Sequence, residues 1–390
     1  MKSKPSIGLM VVLMMFPQII ETIYSPALPA IAQGFGVPMA LAGETLSIYF
    51  LAFAFGVVGW GIAADKLGRR KAMLAGLAVY AFAAIGALYA DNFTWLLAMR
   101  ALSAFGAAVG SVVTQTILRD SFSKQELSTV FSYMGIGIAI SPALGLLIGS
   151  VLASRYSYHG VFVLLAMLAL MLLLLSLRYL KETQPKKVPT VAGSQTLLSL
   201  AGRMIKDAAI WRSAVVVCGF NIMLFSYYLH GPFLFAKLGF SSMQFGLSGL
   251  VLASATIVGS QVNKHLLRTK RKPTQIIQLA SWLSLLGAIG VYILGESVLI
   301  LLPIMLVVIG FSLAIPNVLA GALHAYQAQV GSAGALFGLS YYLMIGFAMT
   351  LVAKMGDLGL VLLIVSLMMV VISAINHCSV RGENCNKPKA

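Results

Sequence analysis

The sequence predicts an all-α membrane protein with twelve transmembrane helices arranged as two six-helix, pseudo-symmetric bundles. Three observations lead there. Apolar runs near twenty residues recur along the whole chain, Lys and Arg collect in alternate loops, and a short motif of the first half returns at the equivalent place in the second.

Of the 390 residues, 59% are hydrophobic and only 10% charged, with a mean hydropathy of +0.94. A soluble domain carries about a quarter charged residues, and no water-soluble fold hides this much apolar surface. The bilayer is therefore the solvent to reason in. Spans fall near 7–29, 43–64, 72–90, 93–118, 127–153 and 161–180, then 213–236, 242–263, 275–295, 298–324, 332–356 and 358–378. Lys2 and Lys4 ahead of an apolar run imitate a signal peptide, but Pro17, Glu21 and Pro26 interrupt that run, which matches the later spans.

The formal charge of +16 raises the question of nucleic acid, and the placement of the charges answers it. Of 27 Lys and Arg, 23 lie at the termini or in the loops on one side; Arg155, Lys237 and Lys354 lie on the other, and Arg100 lies within a span. Cytoplasmic loops are enriched in these residues. Both termini are thus expected in the cytoplasm of a bacterial cell, with the chain in the cytoplasmic membrane and no nucleic-acid partner.

The polar stretch between spans 6 and 7 divides the chain. The expected organisation is a first bundle at 1–180, a linker at 181–207 whose residues 196–206 can form a surface helix, a second bundle at 208–378 and a tail at 379–390. Gly61-Ile62-Ala63-Ala64-Asp65-Lys66 after span 2 is echoed by Gly259-Ser260-Gln261-Val262-Asn263-Lys264 after span 8. Parallel halves closing on a site near the midplane are a transporter architecture.

Certain residues then carry a family resemblance. Gly61-x-x-x-Asp65-Lys66-x-Gly68-Arg69-Arg70-Lys71 resembles the loop 2–3 signature of the major facilitator superfamily. Glycines let helix ends approach, and Asp65 beside a helix C-terminus needs cations such as Arg69 and Arg70. With Asp120 at the end of span 4, the cluster is expected to latch the two halves in one state and release them in another. In span 5, Gly137-x-x-x-Ser141-Pro142-Ala143-Leu144-Gly145 with Gly149 resembles the motif of the family's antiporters, a bendable stretch open to close packing. Arg100, followed by Gly106 and Gly110, resembles the span 4 motif. Tyr24-Ser25-Pro26-Ala27-Leu28-Pro29 and Arg119-Asp120 are similar to the bicyclomycin and chloramphenicol resistance (Bcr/CflA) subfamily. The resemblance implies the major facilitator fold and drug:proton antiport. There is one departure: the subfamily's usual aspartate falls at Thr22, while the acid here is its neighbour Glu21.

Glu21 is the acid set deep in an apolar span; Glu44 lies at the entrance of span 2. A carboxyl removed from water favours its neutral form and suits proton carriage, and an arginine inside hydrocarbon is functional by default. Glu21 and Arg100 are therefore the expected proton-coupling pair. Glu21, Tyr24, Ser25 and Leu28 share a helical face, as do Arg100, Ser111 and Gln115, within about 60°. Asn221, Phe225 and Tyr228 share a face of span 7, and Asn317 follows Pro316 in span 10. The substrate cavity is expected from Tyr24, Ser25, Ser111, Gln115, Asn221, Phe225, Tyr228 and Asn317. His230 is a second group able to carry a proton, or an interfacial residue. Tyr341 and Tyr342 fit packing and cavity equally.

The function expected is proton-coupled export of small amphipathic molecules by a single copy of the chain; the alternative on the same fold is a dedicated carrier of a metallophore or nutrient. An enzyme is not expected, because the five histidines are scattered and form no metal-ligand spacing. No nucleotide motif appears, and no cofactor or metal is expected. Cys218, Cys378 and Cys385 have neither zinc-like spacing nor an even count. A channel would want repeated pore-lining rings.

Overall fold

In a computed structural model, residues 4–184, 197–295 and 297–385 are described. The chain opens with α1 (Ile7–Ile23), a 3-10 turn (Ser25–Ala27) and α2 (Leu28–Gly34), which together make the first span. The break sits where Pro26 enters the chain, since proline supplies no N–H to the helix ladder. There follow α3 (Met39–Leu67), α4 (Arg69–Leu88), α5 (Phe93–Ser121) and α6 (Lys124–Tyr179). The second half holds α8 (Ala208–Lys237), α9 (Ser242–Arg268), α10 (Pro273–Leu294), α11 (Leu301–Ala322), α12 (Val330–Met355) and α13 (Leu358–Cys385), preceded by the short α7 (Leu197–Lys206).

Among the described residues, eleven helical segments are long and apolar enough to cross a bilayer. One of them is double. The 56 residues of α6 would reach roughly 84 Å as a straight helix, against a hydrocarbon core of about 30 Å. Tyr156 and Ser157 leave helical geometry, with Ser157 at φ 54° and ψ −160°, so the chain turns back there. Twelve crossings result.

Local chemistry sets the ends. Asn92 accepts from the Trp95 N–H to start α5, and reciprocal Ser123–Glu126 and Ser241–Gln244 boxes start α6 and α9; each cap contributes about 1 kcal/mol. Gly68, at φ 99°, lets α3 turn into α4 through a single residue. Most boundaries move by a few residues from the sequence expectation: α8 begins at Ala208 rather than 213 and α9 runs to Arg268 rather than 263. The first span runs on to Gly34, α3 begins at Met39 rather than 43, and α13 continues past 378 to Cys385, so part of the expected tail is helical. The linker stretch 185–196 and the tail residues 386–390 lie outside the described residues.

Within the first half, α5 packs against α3 and α4, and α1 against α6; in the second, α10 packs against α11 and α13, and α8 against α12 and α13. Between halves, α3 meets α12 and α6 meets α9, while α2 and the 3-10 turn meet α8. Small residues make the approaches close. A Cβ on Gly346 would stand 2.6 Å from the Leu51 side chain, and one on Gly56 would stand 2.6 Å from the Phe105 carbonyl. Phe82, Leu174, Trp282, Ile293 and Phe347 face outward and exposed, as a lipid-facing surface requires.

Candidate functional site

A cavity of about 370 Å³ lies between the halves. Its first-half wall includes Gln18, Glu21 and Thr22 of α1 and Pro142 of α6; its second-half wall includes Asn221, Phe225 and Tyr228 of α8 and Tyr341 and Tyr342 of α12. Glu21 is 3% exposed, and its Oε1 makes no hydrogen bond with the described residues. The carboxyl is within electrostatic reach of Tyr49, Tyr228, Tyr341 and Tyr342.

Beside the acid on the same wall, Thr22 is tied to its own helix. Thr22 Oγ1 donates to the carbonyls of Gln18 (3.0 Å) and Ile19 (3.4 Å), and Gly145 of α6 sits directly against that hydroxyl. Gly149 abuts the Ile23 carbonyl, and a Cβ on Gly137 would stand 2.9 Å from Met15. Ser141 Oγ donates to the Gly137 carbonyl at 2.7 Å, with Pro142 next to it on the cavity wall. The three glycines of the span 5 stretch thus seat α6 on α1 around the acid.

Arg100 is 2% exposed and lies inside the first bundle, not on the cavity wall. Its guanidinium carbon stands 4.0 Å from the Tyr24 ring centre and 4.9 Å from that of Tyr49. Tyr24 in turn stacks on Phe162. Ring faces attract a desolvated cation, so Tyr24 serves Arg100. Among the described residues Arg100 and Glu21 form no ion pair within 4 Å, although each lies in the other's field.

The remaining expected cavity residues divide. Asn221, Phe225 and Tyr228 are on the wall. Ser111 and Gln115 line a second cavity of about 540 Å³, with Arg119 of α5 and His324, Gln327 and Gly331 around the start of α12. They share a helical face with Arg100, but eleven residues separate Arg100 from Ser111, roughly 16 Å along the axis. Three residues are off both walls, contrary to the sequence expectation. Tyr24 is buried against Arg100. Ser25 Oγ donates to the Tyr228 carbonyl, joining the halves. Asn317 Nδ2 donates to Asn263 Oδ1 at 2.7 Å and to the Leu313 carbonyl, inside the second bundle.

The halves meet at the end opposite the second cavity, where Gly43 packs on Leu229 and Ala353. The structure is therefore open at the end carrying the α5 C-terminus and closed at the other. His230, 3% exposed, donates from Nδ1 to the Ser226 carbonyl and lines a third cavity, of about 240 Å³, towards the closed end.

At the open end, Arg69 Nη1 donates to Asp65 (2.7 Å) and to the Ala64 carbonyl (2.7 Å), and Nε donates to Asp120 (2.8 Å). Arg70 donates to the carbonyls of Leu180 and Leu177. Gly68 leaves no room for a Cβ beside the Glu182 carboxylate, whereas Gly61 makes only ordinary contact with Val112. Sequence reasoning missed Glu182. Its carboxylate accepts from the backbone N–H groups of Arg69, Arg70, Thr183 and Gln184. Partial burial opposes its ionisation, yet these four bonds outweigh that and hold the carboxyl below its ordinary range. Every partner named here belongs to the first half or to the stretch leaving it. In this structure the cluster braces one half, and the expected latch between halves is not made by these contacts.

Two bundles of membrane-spanning helices enclosing a cavity walled by both define a multi-pass membrane transporter. A profile of the Major Facilitator Superfamily matches residues 10–349, and the chain belongs to that family. It is 31% identical over 369 residues to an uncharacterized transporter of Rickettsia bellii (strain RML369-C), covering 89% of this chain and 90% of that protein. It is 25% identical over 399 residues to multidrug resistance protein D of Escherichia coli (strain K12), covering 95% and 96%. With a chloramphenicol resistance protein of Pseudomonas aeruginosa it shares 23% over 339 residues, covering 85% and 80%. The inward-open xylose transporter XylE of E. coli superposes with a TM-score of 0.75 at 13% identity, covering 95% and 94% of the two chains.

Proposed function

We propose that this transporter exports small amphipathic molecules in exchange for protons, by alternating access, from a bacterial cytoplasm across the cytoplasmic membrane. The carrying observation is Glu21, a buried carboxyl with an unpartnered oxygen on a cavity walled by both halves. Neutral, it sits comfortably among aromatic rings; charged, it attracts a cationic or donor-bearing substrate, so proton and substrate compete for one site. Arg100, held between two tyrosine rings, biases that competition through its field. The names of the relatives, multidrug resistance protein D and chloramphenicol resistance protein, support efflux, and the one-sided Lys and Arg distribution supports cytoplasmic termini. The halves at 1–180 and 208–378 rock about the cavity, and one copy of the chain suffices. Glu21→Gln, measured by substrate-induced proton movement in proteoliposomes across cationic, neutral and zwitterionic compounds, is expected to lose coupling altogether; proton movement at the wild-type rate would overturn the proposal.

A further inference from the structure

Tyr341 and Tyr342, neighbours on α12, both line the central cavity and both line the cavity at the open end. Consecutive helical residues project about 100° apart, so a pair shared by two cavities forms the boundary between them. Leu319 of α11 is also shared by both. The two cavities thus meet at two phenol rings and one aliphatic side chain, with the Glu21 carboxyl on one side and Ser111, Gln115 and Arg119 on the other.

The two rings are held differently. Tyr342 packs across the interface between halves, edge-on to Phe53 at 4.9 Å and stacked over Phe50 at 6.5 Å, and Phe50 bears on Phe225 at 4.5 Å. The ring partners of Tyr341 are Phe337 at 5.3 Å and Tyr342 at 4.5 Å, both on its own helix. Aromatic pairs contribute about 0.5–1.5 kcal/mol each beyond their burial. Tyr342 is the fixed post, and Tyr341 can turn without breaking a ring pair between halves.

We propose that Leu319, Tyr341 and Tyr342 form a selectivity gate between the two cavities, with Tyr341 as its moving leaf. The gate admits flat amphipathic molecules that slide along a ring face and exclude bulky ones, and it keeps bulk water off Glu21 between passages. Each phenol hydroxyl also offers a passing molecule a hydrogen bond near the carboxyl. The proposal rests on the transporter class, not on proton coupling, so it stands or falls separately from the function proposed above.

The test uses the full chain in proteoliposomes, with Ala253→Cys on the central cavity wall, native cysteines changed to Ser, and a membrane-impermeant maleimide applied at the open end. A closed leaf scales the labelling rate by its open fraction. Tyr341→Ala is expected to raise that rate about tenfold or more, Leu319→Ala less, and Tyr341→Phe, which keeps the ring, hardly at all. Uptake across substrates of graded bulk, read as the ratio of large to small members carried, should shift towards the larger members in Tyr341→Ala. Equal labelling rates in the parent, Tyr341→Ala and Leu319→Ala would overturn the gate. An unchanged ratio in the two Ala variants would do so too. Should Tyr341→Ala not fold, Tyr341→Leu with Leu319→Ala carries the same two readouts.

Discussion

The ends of spans 2 and 8 occupy equivalent places in the two halves, yet they are fastened by different chemistry. In the first half, Asp65 and Asp120 are bridged by Arg69, and Glu182 binds the backbone just past the turn. In the second, Asn263, the repeat counterpart of Asp65, takes one amide hydrogen bond from Asn317, and Gly259 closes the helix pair against Ser312 and Ile309. Asp65 has its side chain 73% exposed, so its charge keeps much of its hydration, whereas Asn263 is buried. A charge is affordable at the first position and costly at the second. The repeat preserves where a polar tie is made, and burial selects whether it is ionic.

Variants that remove one member of each tie would break or sharpen this contrast. The largest effect is expected from Arg69→Ala, which leaves Asp120 facing the turn without its cation. A loss of roughly 3 kcal/mol or more should appear as a markedly lower unfolding temperature in detergent, and Arg69→Lys, unable to bridge two carboxylates, should recover only part of it.

Asn317→Ala leaves the buried Asn263 unsatisfied and should cost about 1–3 kcal/mol. A double-mutant cycle with Asn263→Ala checks it, and coupling near zero would show that the amide pair is not the tie.

Glu182→Gln is expected next, with a pH signature. Because the folded carboxyl is held below its ordinary value, its contribution is fully present above the unfolded value and is lost as pH falls through the lower folded one. Thermal unfolding of the wild type and of Glu182→Gln should therefore differ at neutral pH and converge in acid. Glu126 makes the smallest case. Lys4, then Ser123, holds its carboxyl below the usual range, with the same sign, but both partners are exposed. Glu126→Gln should shift unfolding only slightly, and added salt should erase the difference.

The fold was legible because each crossing carries its own hydropathy signal and each loop its own charge. The break at Pro26 was not expected: Pro17 lies inside α1 without ending it, and only at Pro26 does the helix give way. The site was legible in direction but not in depth. A helical wheel puts Arg100 with Ser111 correctly by angle, and cannot say that one lies within a bundle and the other at its mouth. Asn317 looks the same in sequence whether it meets a substrate or another amide. Two of the four N–H groups bound by Glu182, those of Arg69 and Arg70, lie 113 and 112 residues earlier in the chain, which no local pattern encodes. The tyrosine pair, ambiguous by spacing, is resolved only when α3 and α12 are seen to pack together.

The contact between Thr22 and Gly145 bears on where an acid can sit in span 1. The hydroxyl of Thr22 is spent on carbonyls of its own helix while α6 presses against it at a residue without a side chain. Exchanging the two residues, as Glu21→Thr with Thr22→Asp, would set the carboxylate against the α6 backbone at Gly145. Positions 21, 22 and 145 therefore act as a set: an acid moved on by one residue needs a change in its neighbour across the helix pair.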